Sequence, residues 1–399
     1  MKTISLKASN FYCINMKRIV FIVLNMIVCT VSAQQEQPPM QSPEIHADHS
    51  VTFRLKAPHA EKVQLMGDWM PARGWMPGTA DMEKNEAGEW LYTTEALPSE
   101  LYSYSFWVDG LRTTDPNNPF VIRDVATLSN IFIVDGERGD LYKINDVPHG
   151  TVSRRWYHSS ALKMDRRITI YTPPAYETSA ENYPVLYLLH GAGGDEEAWI
   201  TLGRVAQIMD NLIAQNMARP MLVVMPNGNV IQDAAPGQGC DGFYTPQLMV
   251  EKTMDGTFEA SFPEIMQFVE SNYRAKTDKA NRAIAGLSMG GFHALHISRY
   301  YPDTFDYVGL FSAAIMARNE VSEVYANMDA TLKEQSNKGY KVYWMGIGKD
   351  DFLYKANEQY RQKLDSLGIE YTYKETEGGH VWKNWRVYLS EFVPLLFQE

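Results

Sequence analysis

Cysteine is scarce in this chain of 399 residues: there are three, and Cys13 and Cys29 fall within the first 33 positions. Only Cys240 remains if that segment is removed, which excludes an internal disulfide framework. A chain this long buries enough apolar surface to do without one. Beside Cys240 stand Gly239, Asp241 and Gly242, none of them a base, so it reads as a packed small side chain rather than a nucleophile or dimer bridge. Basic residues are also in deficit, 37 against 48 acidic, for a net charge of −11. An acidic surface repels phosphates and excludes a nucleic-acid footprint. Neutral polymers and small molecules are the expected partners. No metal-ligating cluster is present: His46 and His49 are close, but they lie beside a linker. No metal or cofactor is expected. Long hydrophobic runs are missing too. The run Ile19–Val28, broken by Asn25, is too short to span a bilayer comfortably.

That run follows Lys2, Lys7, Lys17 and Arg18, with no acid, and precedes the small-residue site Val31-Ser32-Ala33. This is the layout of a secretory signal peptide over residues 1–33. It implies an exported protein, periplasmic or secreted, with no membrane span after cleavage. An uncut anchor, or lipidation through Cys29, is the lesser reading. Residues 34–45, rich in Gln and Pro, read as a linker.

From 46 to 145 the pattern is all strand. Val51–Leu55, Lys62–Met66 and Leu101–Val108 alternate, Asp109-Gly110 marks a hairpin, and Asn130–Val134 is a candidate last strand. Many short strands in about a hundred residues predict an immunoglobulin-like β-sandwich. After Gly150 the grammar changes. Strands at Arg167–Thr172, Val185–Leu189, Met221–Met225, Arg282–Leu287, Tyr307–Phe311, Lys341–Ile347 and Ile369–Lys374 alternate with helical patterns at Val205–Ile213, Phe258–Val269, Gly291–Arg299, Tyr354–Leu367 and Trp382–Phe397. Such alternation predicts a mostly parallel sheet covered on both faces, an α/β domain over residues 150–399.

Gly286-Leu287-Ser288-Met289-Gly290 is a G-x-S-x-G motif between a predicted strand and a predicted helix, the context that the nucleophile elbow of an α/β-hydrolase requires. A serine hydroxyl needs a base within hydrogen-bond reach, and the base needs an orienting acid. In this fold the chain order is serine, acid, histidine. His380, between Gly379 and Val381 after the last strand, is the candidate base. Asp350 and Asp351 follow Lys341–Ile347, and Asp351 is preferred as the acid, the other being solvated or capping the next helix. The oxyanion needs preset backbone donors: Met289 N–H, after the nucleophile, and Ala192 N–H, in the loop His190-Gly191-Ala192-Gly193-Gly194.

These four motifs, in this order, resemble the esterase D-like group over residues 150–399. That group includes carbohydrate esterase family one, with its feruloyl and acetyl-xylan esterases, and the enterochelin esterases. The resemblance implies a G-x-x-D acid, which is Asp351 in Gly348-Lys349-Asp350-Asp351. The sandwich, with Gly67-Asp68-Trp69 and Asp115-Pro116-Asn117-Asn118-Pro119, resembles carbohydrate-binding module family forty-eight. A signal, this sandwich and this hydrolase together look like plant-cell-wall esterases of Bacteroidetes.

The resemblance implies hydrolysis of an acyl ester on a plant polysaccharide such as arabinoxylan, with feruloyl favoured. An acetyl-xylan esterase or a siderophore esterase is the alternative, and a non-catalytic polysaccharide-binding protein is the alternative of a different class. Trp69 and Trp75 offer sugar platforms or sandwich packing. Trp199 and Trp382 line an acyl pocket or pack beneath its loops. Tyr244, in the Gly-containing segment Ile231–Pro246, is expected in the pocket wall.

Overall fold

The computed structural model describes residues 40–71, 77–315 and 322–398. The expected signal peptide, residues 34–39 of the expected linker and Trp75 lie outside the described residues. The start of the described chain is not linker: Ser42 is buried and donates to Asp115 Oδ2, and β1 (Glu44–Ile45) pairs with β2 (Val51–Lys56).

Among the described residues, two antiparallel sheets form the N-terminal part. In the first, β1 and β2 are followed by β6 (Glu89–Thr93) and β5 (Glu83–Lys84). The second runs β4 (Gly78–Asp81), β3 (Val63–Gly67), β7 (Glu100–Val108), β10 (Thr127–Val134) and β9 (Val121–Asp124), with β8 (Leu111–Thr113) also on β7. Val51, Phe53 and Leu55 from one sheet meet Val63, Leu65, Tyr102, Tyr104, Phe106 and Phe132 from the other. This is the period-2 packing that alternation predicts. Asp109 and Gly110 turn the β7–β8 hairpin with positive φ at both residues (48° and 86°), as the Asp-Gly cue requires.

Strand β7 is buried on both faces over much of its length. Its outer face is covered by the second domain: Leu101 belongs to the same buried cluster as Trp385, Val387 and Leu389, and Ile131, Ile133 and Leu141 pack against that cluster. The junction also holds an ion pair. Arg386 Nη2 donates to Glu100 Oε1 (3.2 Å) and to Leu101 O (2.8 Å), and Nη1 donates to Leu202 O (3.2 Å). The two side chains are 3% and 1% exposed. The residues after β10 were expected in the sandwich, but Glu137–Tyr142 is a short helix whose Tyr142 lies beneath Arg386. Helical structure there buries the tyrosine at the junction.

Among the described residues, the C-terminal domain holds one eight-stranded sheet in the order β11 (Thr151–Ser159), β12 (Met164–Thr172), β14 (Leu222–Pro226), β13 (Val185–Leu189), β15 (Arg282–Leu287), β16 (Tyr307–Phe311), β17 (Val342–Gly348) and β18 (Thr372–Thr376). From β14 to β18 all neighbours are parallel; β11 and β12 are antiparallel. The central strands β13 to β16 are buried almost throughout, because helices cover both faces. With helices on both sides and the sandwich before it, this is the α/β-hydrolase fold. Among the described residues no helix is long and apolar enough to cross a membrane. Cys240 is exposed rather than packed; its N–H donates to Asp233 Oδ2 in a surface loop.

Removing Glu100 strands the Arg386 charge in the junction. Glu100→Ala is expected to cost about 3–5 kcal/mol, read as a lower midpoint in denaturant unfolding of the full chain.

Candidate active site

Strand β15 ends at the sheet's centre, and the chain must turn at once into the helix Met289–Tyr300. Ser288 makes that turn with φ 52° and ψ −114°, a conformation that costs a non-glycine residue of order 1–3 kcal/mol. The bend is pinned from both sides. Ser288 N–H donates to Phe311 O (2.8 Å), and its carbonyl accepts from Ala314 N (2.9 Å). The helix start lies so close to β13 that a Cβ on Gly290 would stand 2.3 Å from Leu189 O. Hence glycine is required there.

At the ends of β17 and β18 two loops converge on this bend. His380 Nε2 lies 3.0 Å from Ser288 Oγ, and His380 Nδ1 lies 2.8 Å from Asp351 Oδ2. With a carboxylate on Nδ1, that nitrogen carries the proton and Nε2 accepts from the serine hydroxyl. The Asp351 side chain is fully buried, and its Oδ1 accepts from Leu353 N (2.9 Å), which fixes the carboxylate plane. Asp350 is exposed and joins the loops through its backbone, its N–H donating to Gly378 O (3.0 Å). Phe352 and Trp385 flank the imidazole edge-on at 4.6 and 4.9 Å.

The loop after β13 faces the serine. Gly228 N–H donates to His190 Nε2 (2.8 Å), so the ring proton sits on Nδ1 and is donated to Gly191 O (2.8 Å). Burial pushes the His190 pKa down to about 4, so the imidazole is neutral at physiological pH. Asn229 Nδ2 donates to Gly194 O (2.9 Å). Three acids at the end of this loop are held by arginines: Asp195 by Arg123, Glu196 by Arg167, and Glu197 by both Arg154 and Arg167. Burial pushes the Glu196 pKa up to about 7.

Ser288 and His380 open into a cavity of 480 Å³ whose lining includes Ala192, Met289, Leu248, Met254 and Trp382. Three aromatic expectations need correction. Trp199 is 1% exposed, donates its indole N–H to Leu189 O (2.9 Å) and packs edge-on against Trp382, so it supports the lining from beneath. Tyr244 donates to Ala234 O and is outside the lining, where Leu248 and Met249 form the wall instead. Trp69 stacks on Phe53 at 5.5 Å and meets Tyr102 and Phe132 edge-on, so it belongs to the sandwich interior rather than to a sugar platform. Sequence reasoning missed Arg123, Asp124 and Val125, which reach the cavity from the β9–β10 turn of the sandwich. Val125 adopts φ 50° there without a glycine or asparagine to signal the turn.

A serine on a strained strand–helix bend, bonded to a histidine and an aspartate in this chain order, defines a serine hydrolase of the α/β-hydrolase class. Residues 159–396 match the putative esterase family, and the chain belongs to it; it is a carboxylic ester hydrolase. It is 28% identical over 368 residues to an endo-1,4-beta-xylanase/feruloyl esterase of Xylanibacter ruminicola, covering 91% of this chain and 47% of that protein, so it spans about half of that relative's length. A solved ferulic acid esterase superposes with a TM-score of 0.51 at 26% identity, covering 63% of this chain and all of the other. The enterobactin esterase of Shigella flexneri, 17% identical, superposes with a TM-score of 0.63 over 86% of this chain and 92% of its own, which establishes a shared fold.

The folded chain resists protonating His190, whereas the unfolded chain binds that proton near the ordinary value of 6.5. This contribution to stability is therefore complete above pH 6.5 and is lost as pH falls towards about 4. Urea unfolding across that interval is expected to show a falling midpoint, with a shallower fall in His190→Gln.

Proposed function

We propose that this chain is an exported serine esterase that removes feruloyl groups from plant cell-wall polysaccharide such as arabinoxylan. The hydrogen-bonded chain from Ser288 through His380 to Asp351, at the base of an apolar-walled cavity of 480 Å³, carries the reading. Ser288 Oγ attacks the ester carbonyl while His380 Nε2 takes its proton. The carbonyl oxygen becomes an oxyanion between the N–H groups of Met289 and Ala192. His380 then returns the proton to the departing sugar oxygen, leaving an acyl-serine. Water, activated by the same imidazole, attacks that acyl group and releases the free acid and Ser288. Asp351 holds Nδ1–H throughout and stabilises the imidazolium.

The acyl assignment rests on size and surface. A cavity of 480 Å³ lies within the range that takes ligands of drug size, and an acetyl group leaves most of it empty. Its rim is apolar and open, with Leu248 61%, Phe352 55% and Met249 49% exposed, which suits a flat aromatic ring. The Xylanibacter relative, aligned with nearly the whole chain, is named for the same bond on the same class of polymer. The 1–33 segment supplies the export signal. Neutral polysaccharide is compatible with the chain's acidic charge.

Ser288→Ala is expected to lower turnover of methyl ferulate by about 10⁴-fold or more. Asp351→Asn is expected to lower it by about 10⁴-fold, with stability unchanged by thermal unfolding. Ferulate should dominate the products from wheat arabinoxylan by chromatography. Acetate alone would replace feruloyl with acetyl, and cleavage confined to catechol lactones would move the substrate to siderophores.

A further inference from the structure

Loop His190–Asp195 carries the Ala192 N–H and is tied down at two ends by different domains. From the hydrolase side, Gly228 and Asn229 hold His190 and Gly194 O. From the sandwich side, Arg123 Nη2 meets Asp195 Oδ2 at 2.5 Å, and Nη1 donates to Val125 O at 2.9 Å, making the turn and the acid one unit. The Asp195 side chain is 3% exposed, and its other oxygen accepts from Glu197 N (3.0 Å), so the carboxylate has little freedom. Val125 sits directly on Gly193: a Cβ there would come within 2.7 Å of Val125 Cγ2. No polymer is needed for any of these contacts.

We infer that the sandwich is part of the catalytic site, with Arg123 as a positioning residue that sets the oxyanion loop through Asp195 while Val125 braces it at Gly193. The inference rests on the serine-esterase reading above and adds a function to the sandwich distinct from glycan binding. Oxyanion stabilisation is directional, and a donor displaced by about 1 Å loses much of its effect. The sandwich therefore supports turnover of small esters that carry no sugar.

The test uses the full chain and p-nitrophenyl acetate. Arg123→Met is expected to lower kcat at least about tenfold with KM within about twofold of the parent, and Arg123→Lys to recover part of the loss. Unchanged kcat, or a loss confined to KM or to feruloylated arabinoxylan, would overturn the inference and leave the sandwich as a binding module. Should Arg123→Met not fold by circular dichroism, Val125→Ala keeps the ion pair and reads the brace alone: kcat should fall about threefold or more, and parental kcat overturns the inference. Persisting activity in Ser288→Ala strikes the serine mechanism itself, a result separable from either.

Discussion

The bend at Ser288 is the constraint on which the remaining architecture depends. Its positive φ is held by hydrogen bonds to Phe311 and Ala314 and by the close approach of Gly290 to Leu189. Those partners exist only because β13, β15 and β16 lie side by side in register at the sheet's centre. The rest of the catalytic machinery is placed by loops leaving the same ends of the parallel strands. The β13 loop delivers Ala192, the β17 loop Asp351 and the β18 loop His380. A parallel sheet gathers these ends on one side, so residues 188 positions apart share one cavity.

The polar groups around the bend are kept by their hydrogen bonds in single roles. Neutral His190 serves as a strut, since burial denies it a proton and both ring nitrogens are engaged by the backbone. Chemically similar side chains are thus given different tasks by environment. His380 faces an open cavity and a carboxylate, whereas both ring nitrogens of His190 are bonded to backbone groups.

The hydrolase sheet was legible because its strands are short apolar runs separated by helical periods. Val185–Leu189 and Tyr307–Phe311 match their predicted limits. The residues on the cavity floor were legible because the fold requires them in one chain order. Edges were less so. The last strand runs Thr372–Thr376, later than the apolar pattern at Ile369 suggests, because Ile369 packs into the core from the turn before it. β11 escaped notice: its mostly exposed, polar residues, with Arg154 and Arg155 side by side, carry no apolar alternation. The aromatics show the limit most clearly. Nothing local separates Trp382, which lines the cavity, from Trp199, whose indole is spent on Leu189 O. The pairing of Arg123 with Asp195 spans 72 positions and two domains, and such a contact has no local signature.

The β9–β10 turn gives the cavity a wall that the hydrolase sheet does not itself encode. Modular chains are commonly imagined as cassettes, free to be recombined with any neighbour. Here the seam between modules runs through the reaction chamber, and the residues on its two sides fit each other atom by atom. Such halves must be inherited as a pair, and a chimera joining this hydrolase to a foreign sandwich would need a matched arginine and a matched hydrophobic tip at the same turn.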